Sequence, residues 1–232
     1  MILKIKYQIR FPLGSFLKDD PKYLIIKKKI TEIRRILCVN DNNCKECSKK
    51  DRCLYYLLSG NNFETYPSIL VKRNFLEKKN YKSNETFELE IFLIGIASSY
   101  LDFVTEYLKT IDYIGDAYIQ KKQIDLEYID ESETIDGNIV FNGLIRDVYE
   151  VIKCLKIYSE KYSFKFNDVE IEEIEKGRYL VDYTKYFING KYFENKGYQI
   201  KAKVKNYPKI LLDIGIGSFA ILGGGTALCV LE

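Results

Sequence analysis

The chain contains no histidine. That excludes a histidine general base, a histidine metal ligand and every Ser-His or Cys-His catalytic pairing. Tryptophan is absent too, so any ring that stacks on a ligand must be one of the 20 tyrosines or 13 phenylalanines. Most of those rings are expected in strands and core. No apolar run approaches the ~20 residues that a membrane helix needs. No signal peptide is visible, because Met1 leads straight into alternating residues. A cytoplasmic location without a membrane partner is therefore expected, and there the six cysteines should be reduced or metal-bound. No Gly-Lys-Ser/Thr follows a glycine loop, which excludes a Walker phosphate site.

Charge is plentiful but nearly balanced, with a net of only +3. Its distribution says more. Lysines gather at 27–29, 78–82 and 196–205, and acids at 125–136 and 170–175. That distribution leaves room for a basic face on a near-neutral protein.

Cys38, Cys44, Cys47 and Cys53 sit in a short polar stretch. Four thiolates can close a tetrahedral zinc site; a reduced metal-free loop and an iron–sulfur cluster are the other readings. Five glycines, Gly215, Gly217, Gly223, Gly224 and Gly225, lie between an apolar helical turn and a short apolar strand. Glycines so placed can turn successive N–H groups inward as an anion nest. They equally suit a tight buried connection.

Ile2–Phe11 alternates as a strand. A helix is predicted over about 22–37, with Ile26, Ile30, Ile33 and Leu37 on its buried stripe. Lys27, Lys28, Arg34 and Arg35 lie away from that stripe, as a solvated face or as phosphate contacts. Residues 68–73 and 87–94 read as strands. A helix capped by Ser98 or Ser99 runs to about Ile111, and another strand covers 117–129. Strand, helix, strand, strand, helix, strand is a split βαβ ferredoxin-like unit. The acidic stretch 130–137 serves as the boundary. A second cycle has a strand at 138–141, a helix over 144–162, strands at 168–174, 178–186 and 197–206, a short helix over 207–214 and a last strand at 226–231. The fold class is thus α+β: two tandem ferredoxin-like (RRM-like) domains, 1–130 with a cysteine insertion at 38–53, and 131–232 with a glycine-rich loop at 215–225. A cleft between them, lined by sheet faces and the glycine loop, is expected.

Three pieces in order resemble the CRISPR precursor-RNA-processing endoribonucleases of the RAMP superfamily. They are 33–38 running into the cysteines, the strand–connector–strand of 66–97, and the terminal Gly215-Ile216-Gly217 with Gly223-Gly224-Gly225. The cysteines look like an insertion seen in one branch. Gly224 departs from the family's usual apolar or aromatic residue, and the usual histidine is missing. The resemblance implies metal-independent cleavage of CRISPR repeat RNA by 2′-hydroxyl attack, with no catalytic cofactor and zinc only as a structural ion. Without histidine, the candidates are Lys28 and Arg35 on the first helix, with Tyr23 as an alternative proton donor. RNA contacts are assigned to Lys27, Arg34, Lys72, Arg73, Lys201 and Lys203, and to the loop at Gly215, Gly217, Ser218, Gly223 and Gly225. Other CRISPR effector subunits or a second copy of the chain are the further partners. A catalytically silent RNA-binding RAMP subunit is the alternative, and a zinc-bearing adaptor unrelated to RNA the third.

Overall fold

A computed structural model describes residues 1–25, 32, 38, 44, 46–56, 68–73, 78–166, 168–188, 191–216 and 227–230. The chain divides into two compact units. The first comprises Met1–Asn61, Pro67–Val71 and Glu77–Tyr128; the second takes Asn62–Tyr66, Lys72–Leu76 and Ile129–Glu232.

The first unit is built on β1 (Ile2–Phe11), β2 (Ile69–Val71), β3 (Glu85–Ile94) and β4 (Gln120–Ile129), in the sheet order β2-β3-β1-β4. The period-two pattern of β1 sends Leu3, Ile5, Tyr7, Ile9 and Phe11 into the core. Across the antiparallel ladder they meet Leu93, Ile91, Leu89, Phe87 and Glu85 in turn. Ile69 and Val71 extend the same apolar surface beside Leu93 and Ile91. Each fully buried aliphatic chain contributes roughly 1.5–3 kcal/mol, so register is set by this face. Helix α1 (Leu101–Lys109) buries Val104 and Leu108. Neither Ser98 nor Ser99 caps it. Both lie in a 3₁₀ turn, Gly95–Tyr100, and donate back to the carbonyls of Gly95 and Ile96, at 2.8 and 2.7 Å. The hydroxyls are spent on local i−3 bonds before the α-helix begins.

A helical turn covers residues 21–25. Asp20, 1% exposed, caps it by accepting from the backbone N–H of Lys22 (2.6 Å) and of Tyr23 (3.3 Å). Pro21 occupies the first helical position, where its missing N–H costs nothing.

The second unit repeats the plan. Its strands are β5 (Thr134–Ile145), β6 (Glu170–Ile188), β7 (Lys191–Pro208) and β8 (Ala227–Val230), in the order β6-β7-β5-β8. Helix α2 (Val148–Tyr162) follows β5, and α3 (Ile210–Ile214) follows β7. The fold is therefore α+β with the double ferredoxin-like order that the element pattern predicts. Boundaries differ. Strand β5 starts inside the acidic stretch and runs through Leu144, so α2 begins later than expected. Asp147 sets that start: its side chain accepts from Glu150 N–H at 3.1 Å, and the Glu150 carboxylate accepts from Arg146 N–H at 2.9 Å. The segments 168–174 and 178–186 join into one strand, because register shifts on either side of Glu175–Lys176 absorb the break in alternation. Pairing of β7 with β5 ends at Tyr198 opposite Ile145, while β6 and β7 continue as a two-stranded arm.

Candidate nucleic-acid interface

The lysine stripe of β7 faces a glutamate stripe. Ile200, Ala202 and Val204 are buried, and Lys201, Lys203 and Lys205 alternate with them. The register places Lys201 opposite Glu175, Lys203 opposite Glu172 and Lys205 opposite Glu170. Lys205 Nζ lies 3.1 Å from the Glu170 carboxylate. Opposite charges directly across a ladder attract, so this face is close to neutral. The first unit shows the same device, with Lys4 Nζ 3.0 Å from Glu127 and 3.5 Å from Glu90, and Lys6 Nζ 3.4 Å from Glu90.

Positive charge escapes this pairing where β6 is irregular. The register shift between Lys176 and Tyr179 leaves Gly177 and Arg178 outside the ladder. A Cβ on Gly177 would stand 3.3 Å from the Gln199 carbonyl oxygen, so a bare α-carbon suits the bulge. Lys176, Arg178 and Tyr179 are exposed. The Tyr198 ring sits between two of them: Lys176 Nζ is 4.2 Å from its centroid, and the Tyr179 ring meets it edge-on at 5.1 Å. Cations beside rings bind phosphate and stack on bases together. This group was missed in the sequence, although the Lys-Gly-Arg-Tyr run at 176–179 is a bulge signal in a strand pattern.

The other predicted residues are placed as follows. Lys72 and Arg73 belong to the second unit. Lys72 Nζ lies 2.5 Å from Asp213 Oδ1 on α3. Arg73 is 2% exposed, which takes its guanidinium away from solvent in this conformation. Gly215 ends α3 at φ 74°, its N–H donating to the Leu211 carbonyl at 3.1 Å. Only that glycine of the loop is described; Gly217, Ser218, Gly223 and Gly225 lie outside the described residues, as do Lys27, Lys28, Arg34 and Arg35. Tyr23 is described and buried. Cys38, Cys44, Cys47 and Cys53 are half-buried and form no disulfide with one another. Among the described residues no three or more His, Cys, Asp or Glu side chains come together to hold a metal.

Two split βαβ units in tandem, each with the same strand order, define a double ferredoxin-like protein. Residues 30–151 match the family described as AF_1859_N, N-terminal domain; the match spans more than half of the chain, and the chain belongs to that family. No curated protein sequence matches it. Among solved structures it is similar to a CRISPR associated protein Cas6, at 14% identity and a TM-score of 0.55, covering 100% of both chains. It is also similar to Cas6 in a product complex, at 10% identity and a TM-score of 0.56, covering 98% of this chain and 99% of that one. A third likeness, to the product of a Cas6-related gene from Pyrococcus furiosus, has 15% identity and a TM-score of 0.51, covering 100% and 99%. These likenesses extend over the whole double fold.

Proposed function

We propose that the chain recognises CRISPR repeat RNA and cleaves it as a histidine-free endoribonuclease. The observation that carries this reading is the duplicated sheet order matched end to end by Cas6 structures. The exposed Lys176, Arg178 and Tyr179 beside Tyr198 support an RNA surface in the second unit.

In the proposed reaction the 2′-hydroxyl oxygen attacks the adjacent phosphorus and loses its proton. The bond from phosphorus to the 5′-oxygen breaks, and that oxygen takes up a proton. The products are a 2′,3′-cyclic phosphate and a free 5′-hydroxyl. No redox partner is needed. With no imidazole, Lys28 and Arg35 are assigned to charge stabilisation, and the rate comes mainly from holding the attacking oxygen in line. Tyr23 is the alternative proton donor; it is covered in the present conformation and must be uncovered to reach a leaving oxygen. Slow, single-turnover cleavage is expected.

The absent histidine favours a second reading, a silent subunit that binds repeat RNA without cutting it. Purified chain incubated with the repeat RNA of its own array, with and without chelator, separates the two. A cyclic-phosphate end formed in chelator carries the nuclease reading. Tight binding without product carries the silent one, and no binding at low salt ends both. A structural zinc on Cys38, Cys44, Cys47 and Cys53 remains a separate proposal resting on their spacing. Metal analysis of protein purified reduced and without chelator tests it.

A further inference from the structure

Among the described residues, the most exposed large apolar side chains are Leu13 and Phe16, each 85% exposed. They sit in the turn that leaves β1, and the backbone beneath them is tightly braced. The Phe11 carbonyl accepts from Gly14 N–H at 3.1 Å and from Asn84 N–H at 2.7 Å. Ser83 Oγ donates to the Pro12 carbonyl at 2.6 Å, and Leu17 N–H to the Lys79 carbonyl at 3.1 Å. Ser15 and Phe16 pair with Tyr81 and Asn80 in a two-stranded ribbon. Gly14 has φ +74°, and a Cβ there would fall 2.9 Å from the Tyr81 carbonyl oxygen. Below, the Tyr81 ring packs on Phe11 at 4.7 Å and on Phe87 at 5.7 Å. The tip is thus preorganised, and a ligand that meets it orders little new backbone.

The charges around the tip choose the ligand. Lys18 and Lys82 are exposed, and Lys79 is half-exposed. Of the nearby acids, Glu85 is taken up by Lys78 Nζ and by Lys82 N–H, and Asp20 is turned inward as a helix cap. Among the described residues of 12–20 and 78–85, Asp19 is the acid that remains beside these three lysines. An exposed ring ringed by lysines suits a polyanion that carries flat apolar faces, which is single-stranded nucleic acid.

We propose that Phe16 is a stacking platform for an unpaired base of RNA, with Leu13 packed against the same base and Lys18 and Lys82 on the flanking phosphates. This inference rests on the RNA-binding reading above and adds a site in the first unit to the Lys176–Arg178 bulge of the second.

The absence of tryptophan supplies the test. Phe16→Trp places one indole at the tip, free of background emission. The probe is a fluorescein-labelled oligouridine of about twelve nucleotides, with a blunt RNA hairpin for comparison. Stacking quenches the Phe16→Trp emission as oligouridine binds. Phe16→Ala weakens oligouridine binding about tenfold, leaves hairpin binding unchanged and keeps the salt dependence of the parent. Lys18→Gln with Lys82→Gln flattens that salt dependence. If the parent chain binds oligouridine while Phe16→Ala binds equally well and the indole emission stays constant, this inference alone is overturned. A parent chain that binds neither RNA at low salt overturns the inference together with the RNA reading.

Discussion

Lys203 stands directly opposite Glu172 across the ladder between β6 and β7. The same register sets Lys201 against Glu175 and Lys205 against Glu170. Lysines that look in the sequence like a row of phosphate contacts are therefore matched one for one by acids on the next strand. Both carboxylates named first are exposed, so the pairing limits affinity for polyanions more than it holds the fold together.

Glu172→Gln with Glu175→Gln tests that balance. The double variant should bind RNA more tightly at low salt. The slope of log affinity against log salt should steepen by about 0.7–0.9 for each lysine released to a phosphate. Thermal stability should stay within roughly 0.5 kcal/mol of the parent. Filter binding across a salt series reads the slope; one that does not change would remove Lys201 and Lys203 from the interface.

The Tyr107 hydroxyl donates to the Glu32 carboxylate. Burial first, then this hydrogen bond and the Glu32 charge, push the Tyr107 hydroxyl well above its ordinary value of 10.0. The folded state thus keeps the phenolic proton more firmly than the unfolded state does. That stabilisation is complete below pH about 10 and is lost as pH rises further. Tyr107→Phe should cost about 1 kcal/mol at neutral pH and make the alkaline decline shallower. Some decline should persist, because Tyr7 and Tyr56 are also raised, each mainly by burial. Urea titrations at neutral and alkaline pH give the comparison.

Asp147→Ala removes the N-cap of α2 and leaves Glu150 N–H without its acceptor. A loss of about 1 kcal/mol is expected. Asp147→Ser should recover most of it, since a hydroxyl oxygen can take the same bond. Equal losses in both variants would assign the effect to something other than the cap.

Lys72 and Asp213 form a partly exposed pair, which is worth up to about 1 kcal/mol. Asp213 lies two residues before Gly215, which ends α3. Asp213→Asn should lower stability by no more than that amount and should remove one negative charge from beside Lys72. A gain in RNA affinity with little change in denaturation midpoint is the expected outcome.

The tandem ferredoxin-like order was legible because β1, β3 and β7 alternate cleanly and because α2 carries a stripe at helical spacing. What escaped was local. The hydroxyls of Ser98 and Ser99 look like caps, but a preceding 3₁₀ turn consumes them. Strand β6 breaks its alternation at Glu173–Tyr179, and only pairing with β7 reveals the break as bulges within one strand. Cross-strand charge matching depends on register, which spacing along one strand does not encode. The exposure of Phe16 escaped for a like reason, since its neighbour Leu17 is buried and the sequence does not mark which of the two faces out.

Strand β8 closes the second sheet by pairing Ala227 with Phe141 and Val230 with Asn138. All four strands of the first sheet have been synthesised once Ile129 is added, about a hundred residues before β8. During synthesis the amino-terminal sheet can therefore close early, while β5 waits with an unfilled edge for the last strand to arrive. A stalled or prematurely ended translation product would expose that edge, and its tendency to clump should set in abruptly when synthesis stops short of Ala227.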